Sequence, residues 1–142
     1  MKSRPGQATE TYLTRQVILG RLIALGAVVG FLAVAFGIRY LAGTGSALAQ
    51  YSGTALYAAM IYAGLYVLVP SLRPPVAGVL AVGFCWLVEL FQLTGVPAAL
   101  SERSLLARLA LGVAFDPVDL LWYALGVLPL VAVHSAWRSR MS

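Results

Sequence analysis

Residues 76–95 have the sequence VAGVLAVGFCWLVELFQLTG, an apolar run with one carboxylate, Glu89, near its end. About 20 apolar residues, rising about 1.5 Å each, cross a hydrocarbon core roughly 30 Å thick, so this run predicts a membrane-spanning helix. A charged side chain at the bilayer centre costs about 2.5 kcal/mol or more, so such residues usually face a protein interior or a polar pocket. Gln92 follows at i+3 on nearly the same face. The pair predicts a polar cluster within a helical bundle.

The composition also predicts a membrane protein. Hydrophobic residues make up 61% of the 142 residues and charged residues 11%, whereas soluble domains average about 25% charged residues. We expect a single polytopic domain over residues 1–142. The net charge of +5 does not indicate a nucleic-acid partner, because the basic residues flank apolar runs and form no patch. The single cysteine, Cys85, lies within an apolar run, and no metal or cofactor is expected.

The sequence predicts an all-α membrane protein with four transmembrane helices. A short amphipathic helix, interfacial or re-entrant, is expected between the third and the fourth. A cytoplasmic tail over residues 1–15 precedes the predicted spans, which are residues 17–38, 52–69, 76–94 and 118–133. The amphipathic helix is predicted at about residues 102–111 with Ser101 as its N-cap, because that length is too short to cross a bilayer.

The sequence DPVD at residues 116–119 is the clearest local helix signal. Asp116 suits the N-cap, Pro117 the first helical position, and Asp119 the third position, where a capping-box acid belongs. Both acids also suit the positive end of the helix dipole. For Asp119, helix capping and a functional role are both open interpretations.

The distribution of basic residues predicts the orientation, because cytoplasmic loops carry an excess of Lys and Arg. With the N-terminus inside, seven basic residues lie on the inner side: Lys2, Arg4, Arg15, Arg21, Arg73, Arg138 and Arg140. Three lie on the outer side: Arg39, Arg103 and Arg108. We therefore expect a multi-pass protein with both termini in the cytoplasm. Arg103 and Arg108 then share the outer boundary with Glu89, Gln92 and Asp119.

Two helical faces are built from small residues, which let helix backbones approach closely in lipid. The first span carries Gly26, Gly30 and Gly37, and the second carries Ala55, Ala59 and Ala63. These faces are candidates for contact with a larger membrane protein complex. General richness in Ala and Gly is the alternative explanation.

Several short motifs, taken in order, resemble a family of small bacterial membrane proteins. They are Gly53-Thr-Ala-Leu56, Glu89 with Gln92, Arg108-Leu109, and Asp119-Leu120 with Tyr123. In this order they resemble the domain-of-unknown-function 2809 family, which is similar to VanZ-like proteins. The resemblance covers about residues 20–133 and implies an envelope role in the bacterial cytoplasmic (inner) membrane. Thr54 stands where the family pattern usually shows Asp, so a second intramembrane carboxylate for an acid pair is missing.

Three classes of function fit the sequence. The first is a non-enzymatic envelope protein or accessory protein of a membrane complex. The second is a protein that binds lipid or another small amphiphile, in which Arg103 and Arg108 hold an anionic group while Glu89 and Gln92 supply hydrogen bonds. An intramembrane enzyme ranks last, because the sequence offers no nucleophile–base pair, and no catalytic residue is predicted. The predicted polar cluster comprises Glu89, Gln92, Asp119, Arg103, Arg108, Thr54 and Tyr123.

Overall fold

The chain folds as a bundle of α-helices in a computed structural model that describes residues 5–141, with side chains from residue 9 onward. The helices are α1 (Pro5–Ala42), α2 (Ala47–Leu68), α3 (Pro74–Gln92), α4 (Val96–Ser101), α5 (Leu105–Leu111) and α6 (Asp119–Met141). No strand occurs between residues 5 and 141. By length and composition, α1, α2, α3 and α6 can each cross a membrane. The predicted fold class is therefore confirmed.

The first and last long helices extend beyond the predicted spans. α1 begins at Pro5, a residue that suits the first helical turn, so residues 5–15 of the predicted tail are helical and continuous with the span. Residues 1–4 lie outside the described part of the chain. α6 continues to Met141 instead of ending near residue 133, because no glycine or proline follows Pro129 to stop it.

The connection between α3 and α6 holds two short helices, so the predicted helix at residues 102–111 with its Ser101 N-cap is wrong in its start. Gly95 adopts a φ of 75°, which turns the chain after α3 and allows α4 to begin at once. The N-cap of α5 is Ser104, whose hydroxyl oxygen accepts a hydrogen bond from the Ala107 backbone N–H at 3.3 Å. Ser101 lies at the end of α4.

The centre of the bundle is formed by α2, α3 and α6, each of which contacts the other two, whereas α1 contacts α2 alone. Small side chains dominate this centre and allow the helices to approach closely. Ala58, Ala77, Ala81 and Cys85 have no exposed surface. The polar ends of α2, α3 and α6 are thereby held in fixed positions relative to one another.

The two faces of small residues have different surroundings. Ala59 and Ala63 are buried inside the bundle, and the backbone of Ala55 lies against Gly126 of α6. A Cβ atom at Gly126 would overlap the carbonyl oxygen of Ala55, so α2 and α6 touch through their backbones there. A Cβ built on any of the three glycines of the α1 face meets no atom within 4 Å.

Replacing Gly126 with alanine should lower the free energy of unfolding by about 1–3 kcal/mol, because the added methyl group overpacks the contact between α2 and α6. Gly83→Ala is the matched control, since a Cβ at Gly83 of α3 meets nothing within 4 Å. Thermal unfolding in detergent checks the difference. Equal stability of the two variants would contradict the close approach of α2 and α6.

Candidate functional site

Glu89 is completely buried, and three groups donate hydrogen bonds to its carboxylate. The backbone N–H of Asp116 donates to Oε1 at 2.7 Å. The Tyr123 hydroxyl donates to Oε2 at 2.9 Å, and the Gln92 amide donates to the same oxygen at 3.3 Å. A buried carboxyl group is tolerated when its oxygens are hydrogen-bonded in this way. Because Asp116 and Tyr123 flank the start of α6, Glu89 ties that start to the end of α3.

Gln92 has an amide orientation that its neighbours determine. Its Nε2 lies 3.3 Å from Glu89 Oε2 and 2.8 Å from the Leu111 carbonyl oxygen. Both of these oxygens accept hydrogen bonds, so the NH₂ group must face them. The Gln92 Oε1 atom is therefore left buried without a donor. Gly112 makes room for this arrangement, since it has a φ of 70° and a Cβ there would lie 2.6 Å from Gln92 Nε2.

The end of α5 and the backbone that follows it are held in place by side chains from several helices. Tyr57 of α2 donates to the carbonyl oxygen of Ala110 at 2.9 Å, and Ser101 of α4 donates to that of Gly112 at 2.9 Å. Glu89 and Gln92 of α3 bind the same segment, as described above. Irregular backbone at membrane depth needs protein partners of this kind, because lipid offers none.

Asp116 lies in the turn that leads into α6, so the predicted N-cap position is wrong by about three residues. Its Oδ1 accepts a hydrogen bond from the Val118 backbone N–H at 2.9 Å. Its Oδ2 accepts one from the Gln50 amide of α2 at 3.1 Å. The helix itself begins at Asp119, so Pro117 and Val118 form a turn that precedes it.

Asp119 takes no part in a capping box. In the predicted box its side chain would accept the Asp116 N–H, but that N–H donates to Glu89. The Asp119 Oδ1 atom instead accepts a hydrogen bond from the Thr54 hydroxyl at 3.1 Å. The structure thus shows Asp119 as a polar group facing α2, outside a capping box, and a functional role for it stays a prediction.

A groove with a volume of about 740 Å³ opens beside these residues. Its deep end is formed by buried polar side chains, among them Glu89, Gln92 and Tyr123. Apolar side chains of α1 and α5 form its walls, namely Phe31, Leu32, Phe36, Leu106 and Leu109. The groove therefore joins a polar base to apolar walls.

The structure brings five of the seven predicted cluster residues together around this groove: Glu89, Gln92, Asp119, Thr54 and Tyr123. Arg103 and Arg108 are exposed and do not line the groove. The only basic residue among its described lining is Arg39, near the end of α1. Sequence reasoning interpreted Arg39 only as an outer-side charge, although that position already placed it at the depth of the cluster. Gln50, which also lines the groove, carried no distinguishing signal in the sequence.

No group of three or more His, Cys, Asp or Glu side chains in the described part of the chain could hold a metal ion. The polar groups at the deep end act as hydrogen-bond donors and acceptors toward one another. A molecule that binds in the groove can pair only with the donors and acceptors that these internal hydrogen bonds leave unused.

A family model matches residues 44–127, and its description is "Protein of unknown function (DUF2809)". The chain belongs to this family. The matched segment contains every residue of the Glu89 cluster, whereas α1 lies before it. Comparisons with curated proteins and with solved structures gave no match.

Replacing Glu89 with glutamine should lower the free energy of unfolding by about 1–3 kcal/mol, because the new NH₂ group must face at least one of the present donors. Glu102→Gln is the matched control, since Glu102 is exposed between α4 and α5. Denaturant titration in detergent micelles checks both variants. A Glu89→Gln protein as stable as the control would show that the three hydrogen bonds do not stabilise the fold.

Proposed function

We propose that this protein binds an amphiphile, a lipid or a similar molecule, in the groove between α1, α2 and α5. The polar head group lies at the Glu89 cluster, and the apolar chains lie along the walls. The observation that carries the proposal is the buried, unpartnered Oε1 of Gln92 at the deep end of a groove with apolar walls. Binding sites for small molecules combine mostly apolar linings with a few polar groups of this kind.

The walls support the same conclusion. Leu32 and Phe36 of α1 and Leu109 of α5 are each between 45% and 49% exposed. In a bilayer these side chains contact acyl chains, whether of bulk lipid or of a bound amphiphile. The deep end of the groove distinguishes bulk lipid from a bound amphiphile. Acyl chains alone leave the Gln92 oxygen without a donor, whereas a polar head group can supply one.

We further propose a place for the groove in the cell. The seven basic residues on one side and three on the other favour cytoplasmic termini. The groove then opens at the outer leaflet of the bacterial cytoplasmic membrane. An amphiphile taken from that leaflet fits the envelope role that the resemblance to VanZ-like proteins implies. The activity we propose is binding and requires no reaction.

Filling the groove should abolish binding. Ala35 of α1 lines the groove, so Ala35→Trp places an indole where the acyl chains would lie. Ala33 lies on the same helix and does not line the groove, which makes Ala33→Trp the matched control. Native mass spectrometry of protein extracted in mild detergent should show lipid adducts in the wild type and the control and at least about tenfold fewer in Ala35→Trp. Equal amounts of lipid adduct in the two variants would contradict the proposal.

A second candidate is an accessory role in a larger membrane complex. The observation that favours it is the glycine face of α1, which is open along its length because α1 contacts only α2. A photo-crosslinking residue at position 33, on this face, should then yield one discrete protein adduct in native membranes. Adding Gly30→Leu should remove the adduct by blocking close approach. An adduct that persists unchanged would exclude this face as the contact.

A further inference from the structure

The deep end of the groove has hydrogen-bond acceptors to spare and few donors. The hydroxyl groups of Tyr57 and Tyr123 and the amide NH₂ of Gln92 all point at oxygens of the protein. Two acceptors remain without a partner among the described residues: Gln92 Oε1, which is buried, and Asp119 Oδ2. A group that binds here must therefore donate hydrogen bonds.

The acidic residues at the deep end of the groove determine whether a hydroxyl or an ammonium group is the better donor. Glu89 and Asp119 are the acidic residues among the described lining of the groove. A hydroxyl group and an ammonium group can both donate, but the carboxylates favour the cation. A primary ammonium carries three N–H donors and no acceptor, which suits acceptors on two different side chains.

The mouth of the groove has the opposite character. Arg39 is exposed there and lines the groove close to the turn between α1 and α2. A guanidinium presents five donors in a planar fork that matches the oxygens of a phosphate. The mouth therefore suits an anion, while the base suits a cationic donor.

We infer that the bound amphiphile is a phospholipid whose head group carries a primary amine, of the ethanolamine type. Its ammonium donates to Asp119 and Gln92, its phosphate meets Arg39, and its acyl chains follow the walls of α1 and α5. This inference rests on the proposed function and adds the chemical class of the ligand. A choline head group has the same charge but no N–H donor, and a glycerol head group has no cation.

In the test, the purified protein is incubated with an equal mixture of ethanolamine, choline and glycerol phospholipids that have identical acyl chains. Native mass spectrometry then counts each adduct. We expect the ethanolamine lipid to exceed the choline lipid by about tenfold, since the choline lipid leaves the acceptors unpaired. Asp119→Asn should lower this ratio, because only the Gln92 acceptor then remains for the ammonium, while Glu102→Gln should leave it unchanged.

A second measurement needs no variant. Mono-, di- and trimethylated ethanolamine lipids lose one N–H donor at each step at constant charge, and binding to the wild type should fall in that order. Equal binding of the ethanolamine and choline lipids, or a preference for the glycerol lipid, would overturn the inference. If those adducts still disappear in Ala35→Trp, the groove binds amphiphiles of another class. If they persist in that variant, the proposed function fails as well.

Discussion

The rest of the structure depends on one hydrogen bond between distant parts of the chain, from the backbone N–H of Asp116 to Glu89 Oε1 at 2.7 Å. A backbone N–H outside a helix or strand has no partner in regular secondary structure, and when it is shielded from water it must find an acceptor elsewhere. In the capping box that the sequence predicts, the acceptor of this N–H would be Asp119. Because Glu89 of α3 takes that place, the start of α6 is fixed to the end of α3, and Asp119 is free to face α2.

Because Glu89 accepts the Asp116 N–H in place of Asp119, its buried carboxylate is tolerated in a membrane span. Glu89 gains three donors, and the segment between α5 and α6 gains a fixed position. Tyr57, Gln92 and Ser101 donate hydrogen bonds to carbonyl groups at the end of α5 and at Gly112, which follows it. The leucines of α5 are thereby held across the groove from α1, so the shape of the groove depends on these hydrogen bonds.

Much of the fold could be predicted from the sequence, because span length and hydropathy are local properties. The position of Gln92 beside Glu89 follows from helical spacing alone. The start of α5 could not be predicted, because Ser101 and Ser104 are equally good N-caps and the choice depends on where Gly95 restarts the helix. The hydrogen bond from the Asp116 N–H to Glu89 could not be predicted either, because every residue except proline has a backbone N–H and the sequence does not show which one a side chain binds. Arg39 was missed for a related reason: α1 and the Glu89 cluster are brought together only by packing against α2.

Amide hydrogen exchange at Asp116, resolved by NMR in detergent micelles, tests this account most directly. We expect the Asp116 amide of the wild type to exchange slowly, with protection close to that of the amides of α2. In Glu89→Gln its exchange should accelerate by about tenfold or more, while the central amides of α2 keep their rates. An Asp116 amide that exchanges as fast as an exposed loop amide in the wild type would contradict the account.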